Sequence, residues 1–251
     1  MARTRKRGRG AIWAVVALLV VVALVVGAEL VARQLVPGMV RTAVAERLQL
    51  PPEHPIDVEV GGILLPQLVA GRLADVRVAS EDVTVGAFSG DVVAEGRSVP
   101  IRGDAPAEGG TAEVRMTTEQ LRSLLSTFDG FPADTVELAA PHVTASFDAQ
   151  VLGASISLGI ALEPSASEGD IVLTPVEGTI ADATVRADEL RERFGALVDP
   201  LLQDRRLCIA ASVPAGAELR SIEVADDELV ASFDLAGGLV DDPALQEPGA
   251  C

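Results

Sequence analysis

The chain has 251 residues, with 20 Lys or Arg, 37 Asp or Glu and a formal net charge of −17. Five basic residues precede residue 28, so residues 29–251 carry 15 basic and 37 acidic side chains, a net charge of −22. Such a body repels phosphate backbones and anionic headgroups, which excludes nucleic acid as a partner and requires that contact with lipid be apolar. The same charge is also typical of an ordinary soluble surface.

The first predicted element is a transmembrane helix. A cytoplasmic basic segment at residues 1–10 precedes an uncharged run at 11–28, which would rise about 27 Å as a helix, close to the thickness of a bilayer's hydrocarbon core. The positive-inside rule places residues 1–10 in the cytoplasm and the rest on the outer, periplasmic or extracellular side. The run is longer than the roughly 7 to 15 apolar residues of a cleaved signal peptide. This favours a single-pass signal-anchor in the cytoplasmic membrane over a cleaved segment.

The remaining chain divides into an exported domain at 29–236 and an acidic C-terminal tail at 237–251. Pro37-Gly38 predicts the end of the first helix, and apolar residues from Val40 to Leu48 at helical spacing predict a second, amphipathic one. Alternating apolar residues at 56–60, 156–162 and 229–235 predict strands with one buried face. Such strands are typical of a mainly antiparallel sheet.

Two amphipathic helices are predicted among the strands, one after Met116 and one after Val185. In the first, Thr117 and Gln120 have the spacing of a capping box. The two segments are 69 residues apart and each follows a series of strands, which suggests two weakly similar halves. We therefore expect an α+β fold in which a transmembrane helix is followed by a curved sheet wrapped on amphipathic helices.

Catalytic motifs are missing from the sequence. His54 and His142 have no partners at the spacing of metal ligands, and no nucleophile elbow, P-loop or C-x-x-C motif occurs. The single Trp lies in the apolar run and Tyr is absent, so a platform for stacking sugars is lacking. We expect a protein that is not an enzyme and that carries no cofactor and no metal.

The only cysteines, Cys208 and Cys251, both lie on the predicted outer side. An even cysteine number in an exported chain favours a disulfide, although sequence alone leaves two free thiols as the alternative. A bond between them would tether an otherwise loose C-terminal tail.

A family resemblance rests on residues 60–73, VGGILLPQLVAGRL, followed by Val76, Val78, Val83 and Val85. This stretch resembles the signature of the actinobacterial LmeA-type phospholipid-binding proteins, in which a strand leads through a turn to two further strands. Residues 116–125 and 213–233 are similar to that family's strand-to-helix segment and closing hairpin. The chain departs from the pattern at Leu65, since the family often has Phe beside the turn proline. The resemblance implies a tubular lipid-binding fold, phospholipid as ligand and a role in envelope assembly.

An aliphatic groove between sheet and helices would hold acyl chains. Its predicted wall residues are Leu64, Leu65 and Leu68 in the turn and Leu121, Leu125, Phe128, Leu190, Phe194 and Leu197 on the helices. Arg72 and Arg122 are the candidates for a phosphate headgroup, because a guanidinium binds phosphate bidentately. Surface ion pairs are the alternative for both arginines.

Two functions follow from this pattern. The first is a membrane-anchored envelope protein that binds phospholipid acyl chains and takes part in envelope lipid or glycolipid assembly. The alternative is a structural adaptor with a closed core that binds another envelope protein through its sheet. Small residues facing inward would favour the first, since they leave volume for a ligand. An enzyme of glycolipid synthesis is a weaker third possibility.

Overall fold

The computed structural model describes residues 7–48, 50–51, 53–85, 88–102, 105–127, 133–151, 154–180, 183–195, 199 and 202–251. Its α-helices are α1 (Arg7–Leu48), α2 (Leu64–Ala70), α3 (Thr118–Leu125), α4 (Ala187–Phe194) and α5 (Pro243–Gln246). Its strands are β1 (Ile56–Val60), β2 (Arg72–Val85), β3 (Phe88–Pro100), β4 (Gly109–Thr117), β5 (Glu137–Ala139), β6 (His142–Val151), β7 (Ala154–Ser167), β8 (Asp170–Ile180), β9 (Ala183–Arg186), β10 (Arg205–Leu207), β11 (Ala217–Ala225) and β12 (Glu228–Leu235). The described residues also include short 3-10 turns at Ala133–Thr135 and Ala210–Ser212.

Helix α1 is continuous over 42 residues and passes through Pro37, so the predicted break at Pro37-Gly38 is wrong. A proline inside a helix removes one backbone hydrogen bond and strains the preceding turn. Tertiary contacts compensate for this loss, because Ala32 and Val36 are buried against the sheet. Arg41 adds a hydrogen bond from Nε to the carbonyl oxygen of Ile56 at 2.7 Å. Within the described residues, α1 is the one helix long and apolar enough to cross a membrane, with a candidate span of Val15–Glu46.

The strands form two antiparallel sheets. The first sheet has the order β1-β2-β3-β4-β12-β11, and the second has the order β10-β8-β7-β6-β5 with β9 paired to β8. Within the described residues, every pair of neighbouring strands is antiparallel, as the alternating residues predict. An α+β fold with an N-terminal apolar helix, antiparallel sheet and few helices is thus confirmed. The strands divide between two sheets, and neither closes into a barrel.

Most of the buried side chains form two clusters. The α1 cluster lies between the C-terminal half of α1, helix α2 and the start of the first sheet, and consists of Ala32, Val36, Ile56, Val58, Leu64, Leu73 and Val76. The intersheet cluster joins α3 and the two sheets, and consists of Met116, Leu121, Val136, Leu138, Leu219, Ile222, Val224, Leu229 and Ala231. Helix α3 begins at the predicted capping box, in which Thr117 N donates to Gln120 Oε1 at 2.9 Å.

The C-terminal residues pack on the body of the protein. Backbone N–H groups of Ala215 and Gly216 donate to the carbonyl oxygens of Glu247 and Leu245 at 2.8 and 2.9 Å. The sulfur atoms of Cys208 and Cys251 are 2.06 Å apart, which fits the predicted disulfide. Backbone hydrogen bonds therefore hold the C-terminal residues in addition to the cysteine pair.

Candidate functional site

The inner face of the first sheet, which packs against the two clusters, carries apolar side chains on all six strands. Residues directly opposite one another in antiparallel strands share a face. One such row consists, in strand order, of Val58, Val78, Ala94, Ala112, Phe233 and Leu219. Its first two members belong to or pack against the α1 cluster, and its last two belong to or pack against the intersheet cluster. Ala94 and Ala112 lie between the clusters and are half-buried.

The next row of the sheet places Gly96 beside Gly110, between Val76 and Leu235. A Cβ atom added to Gly96 would lie 2.9 Å from Val99 Cγ2, so a larger residue would clash there. Ala94, Gly96, Gly110 and Ala112 together form what we call the alanine-glycine patch. It is the part of the inner face with the least side-chain volume, and larger apolar residues flank it on both sides.

Helix α2 contains the three leucines that were predicted to lie in a turn. Leu64 is 1% exposed and belongs to the α1 cluster, Leu68 packs against that cluster, and Leu65 is half-buried. The helical conformation corrects the prediction of a turn. Its C-terminal cap is Gly71, whose φ of 75° is a left-handed conformation that glycine adopts without steric cost.

The N-terminus of α2 is capped from another helix. The backbone N–H groups of Leu64 and Leu65 donate to the two carboxylate oxygens of Glu29 at 2.9 Å each. Arg33 contacts the same carboxylate with Nε at 3.0 Å and donates from Nη2 to the carbonyl oxygen of Gly62 at 2.8 Å. Ile63, the residue before α2, makes no side-chain cap of its own. Glu29 therefore fixes α2 beside α1, at the end of the uncharged run.

The two candidate headgroup ligands both bond to the protein itself. Arg72 donates to Ser98 Oγ at 2.9 Å and to the carbonyl oxygens of Ser98 and Pro106 at 2.7 and 2.9 Å. Arg122 donates from Nε to the carbonyl oxygen of Val136 at 2.6 Å. A phosphate would have to compete with these hydrogen bonds. Both guanidinium groups are therefore better explained as side chains that stabilise neighbouring loops through hydrogen bonds to the backbone.

The predicted wall residues on the helices separate into different places. Leu121 belongs to the intersheet cluster and Leu125 packs against it, so both contribute to the core. Leu190 of α4 lies over Gly178 of β8 in the second sheet. Phe128 and Leu197 fall outside the described residues, and the side chain of Phe194 is likewise not described. The described members of the predicted set therefore lie in different parts of the structure.

The outer face of the first sheet is charged and carries ion pairs. Arg77 contacts Glu95, and Arg115 contacts both Glu113 and Glu228. The hydrogen bond that Arg115 donates to the Glu113 carboxylate raises the pKa of its guanidinium. Among the described residues, no group of three or more His, Cys, Asp or Glu side chains is arranged to hold a metal ion. The two faces of the sheet thus differ sharply in polarity.

Comparison with known proteins gives one match. The protein-family model described as LmeA-like phospholipid-binding matches residues 27–234, which is most of the chain. No curated protein and no solved structure matches.

Proposed function

The chain belongs to the LmeA-like phospholipid-binding family, and from this membership we propose that it holds phospholipid acyl chains against the alanine-glycine patch. In this proposal, α1 retains the protein in the cytoplasmic membrane, and the body lies on the outer side. It acts as a binding protein in the assembly of envelope lipids or glycolipids, without catalytic chemistry of its own.

The observation that carries this proposal is the row from Val58 to Leu219. Its central members, Ala94 and Ala112, are half-buried and apolar, whereas the larger side chains on either side pack into cores. An acyl chain laid on the patch would gain about 0.8 kcal/mol for each methylene removed from water. Small inward residues are the feature expected of an open groove, and they argue against a closed adaptor.

Charge supports an apolar mode of binding. The net charge of −22 over residues 29–251 does not attract anionic headgroups. Salt screens such interactions between exposed charges, so an affinity that came from headgroup charge would change with ionic strength. We expect the phospholipid content of the purified protein to be nearly independent of salt.

The test fills the patch with larger side chains. The double variant Ala94→Leu and Ala112→Leu places two isobutyl groups where an acyl chain would lie, and we expect it to lose bound phospholipid. Ala79→Leu is the matched control, because Ala79 pairs with Asp57 and Val93 in a row on the outer face of the same sheet. Native mass spectrometry of the full chain, released from micelles, would count the bound phospholipids.

Circular dichroism must show that all variants are folded before lipid loss is interpreted. Equal lipid content in the patch variant and the control would contradict the patch as the site. A folded, delipidated wild-type chain that takes up no phospholipid from vesicles would instead favour the closed adaptor.

A further inference from the structure

An apolar groove lies between helices α1 and α2, away from the alanine-glycine patch. Its volume is about 530 Å³, and all of its lining residues are apolar. One wall is a ridge of α1 formed by Gly27, Val31, Leu35 and Met39, which follow one another at intervals of four residues. The opposite wall is formed by Leu65 and Leu68 of α2.

The groove extends from inside the uncharged run, at Ala23, to Met39 beyond its end. Gly27 lies inside the run at 11–28, whereas Leu35 and Met39 lie beyond it and are 60% and 63% exposed. Large apolar side chains exposed side by side in water are unfavourable, and contiguous patches of this kind mark interaction sites. The groove is continuous with the proposed membrane span of α1. The hydrocarbon interior of the bilayer can therefore supply the apolar group that covers it.

The polar contacts of Glu29 hold α2 beside α1 and so keep the two walls of the groove in position. Its carboxylate binds the N-terminus of α2 and Arg33, so both of its oxygens are satisfied while α2 lies against α1. Leu68, one of the groove residues, packs against the α1 cluster, and so does Val78. Val78 is the direct neighbour of Ala94 in the sheet. The groove therefore adjoins the chain of apolar contacts that leads to the alanine-glycine patch.

We propose that the groove between α1 and α2 is a lateral entry site, which takes one acyl chain of a bilayer phospholipid before that chain reaches the sheet. This inference rests on the proposed function and adds to it the place where the lipid leaves the membrane. The occupant is the acyl chain, because the groove offers only apolar surface and opens beside the membrane span.

Two glycines of α1 provide a matched pair of variants. A Cβ atom at either Gly27 or Gly38 would meet no atom from outside its own turn of helix within 4 Å, so a side chain added at either position starts in open space. Gly27 lines the groove and Gly38 does not. Gly27→Leu therefore fills the groove from one wall, while Gly38→Leu makes the same chemical change elsewhere on the same helix.

The experiment uses the full chain in phosphatidylcholine vesicles that contain some phosphatidylcholine with a diazirine in its acyl chain. After photolysis, mass spectrometry maps the label on α2, where Leu65 and Leu68 face the groove and Val69, 87% exposed, does not line it. We expect label on the two leucines of the wild type and of Gly38→Leu, and its loss in Gly27→Leu. Label on Val69 should be the same in all three proteins, because it reports simple contact with the bilayer.

Equal labelling of Leu65 and Leu68 in both variants, or no label there in the wild type, would overturn the entry site. A crosslink between α2 of one copy and α1 of another, formed by a photoreactive amino acid placed at position 68, would also overturn it, since a second copy would then fill the groove. Label at Ala94 or Ala112 separates the two proposals. Its presence without label at Leu65 and Leu68 leaves the sheet site standing and removes the entry site, and the reverse pattern removes the sheet site alone.

Discussion

Arg122 of α3 and Arg191 of α4 make the same kind of contact although they are 69 residues apart. Each is the fifth residue of its helix, and each donates to the carbonyl oxygen of a buried residue that follows the helix. Arg122 bonds to Val136 at 2.6 Å, and Arg191 bonds to Leu202 at 2.5 Å. This correspondence agrees with the two similar halves expected from the sequence, which remain a prediction.

We predict that Arg122→Met lowers the free energy of unfolding by about 1.5 to 3 kcal/mol, the usual contribution of a hydrogen bond to a charged group. Arg191→Met should have an effect of the same sign. Arg220→Met is the control, because Arg220 is 67% exposed and lies 3.8 Å from Asp234. Urea unfolding of the full chain in micelles measures the three values. An Arg122 variant as stable as the Arg220 variant would show that the bond to Val136 is dispensable.

Removal of the Glu29 carboxylate should release α2. Loss of an N-terminal cap costs about 0.5 to 2 kcal/mol, so in Glu29→Ala we expect faster hydrogen exchange at Leu64 and Leu65. Glu46→Ala, at an exposed position of the same helix, should leave exchange in α2 unchanged. Hydrogen exchange followed by mass spectrometry distinguishes these outcomes, and unchanged exchange in both variants would mean that packing of Leu64 alone holds α2.

The proposed topology predicts where a protease can act. Protease added to intact spheroplasts should digest the chain after Glu29, and the protein should stay in the membrane fraction at high salt. Full protection from the protease would contradict an outward-facing body. Release into the medium would contradict the anchor alone, since it would show cleavage after the apolar run.

The cysteine pair predicts a simple chemical result. Under non-reducing denaturing conditions, alkylation should find no free thiol at Cys208 or Cys251, because their sulfur atoms are at bonding distance. After reduction, both cysteines should be alkylated. Alkylation of both before reduction would leave only the backbone hydrogen bonds to hold the C-terminal residues.

Local sequence signals predicted local structure well. Alternation at residues 56–60 marks strand β1 at the bounds that the structure has, and the capping box of Thr117 and Gln120 marks the start of α3. Both signals depend on neighbouring residues alone. The helical stripe of α3 was also correct, but its Leu121 and Leu125 pack into the intersheet cluster. A stripe of this kind predicts burial and does not distinguish a core from a ligand site.

The features that depend on distant residues could not be predicted. The N-terminus of helix α2 is capped by Glu29, 35 positions before Leu64. No local sequence pattern therefore predicts this helix. Helix α1 passes through Pro37 because burial against the sheet outweighs one lost hydrogen bond. Ala94 and Ala112 become neighbours only through the pairing of β3 with β4. Small residues in a strand carry no amphipathic signal, and for this reason the patch was missed.

The unbroken course of α1 limits how far this protein could carry a lipid. Ala32 is already buried against the body, four residues after the end of the uncharged run, which is a rise of about 6 Å along the helix. With α1 in the membrane, no flexible linker separates the membrane span from the body, so the body stays at a fixed distance close to the bilayer surface. Delivery of a lipid across a thick envelope would then require a second, mobile carrier that takes the lipid from this membrane-bound protein.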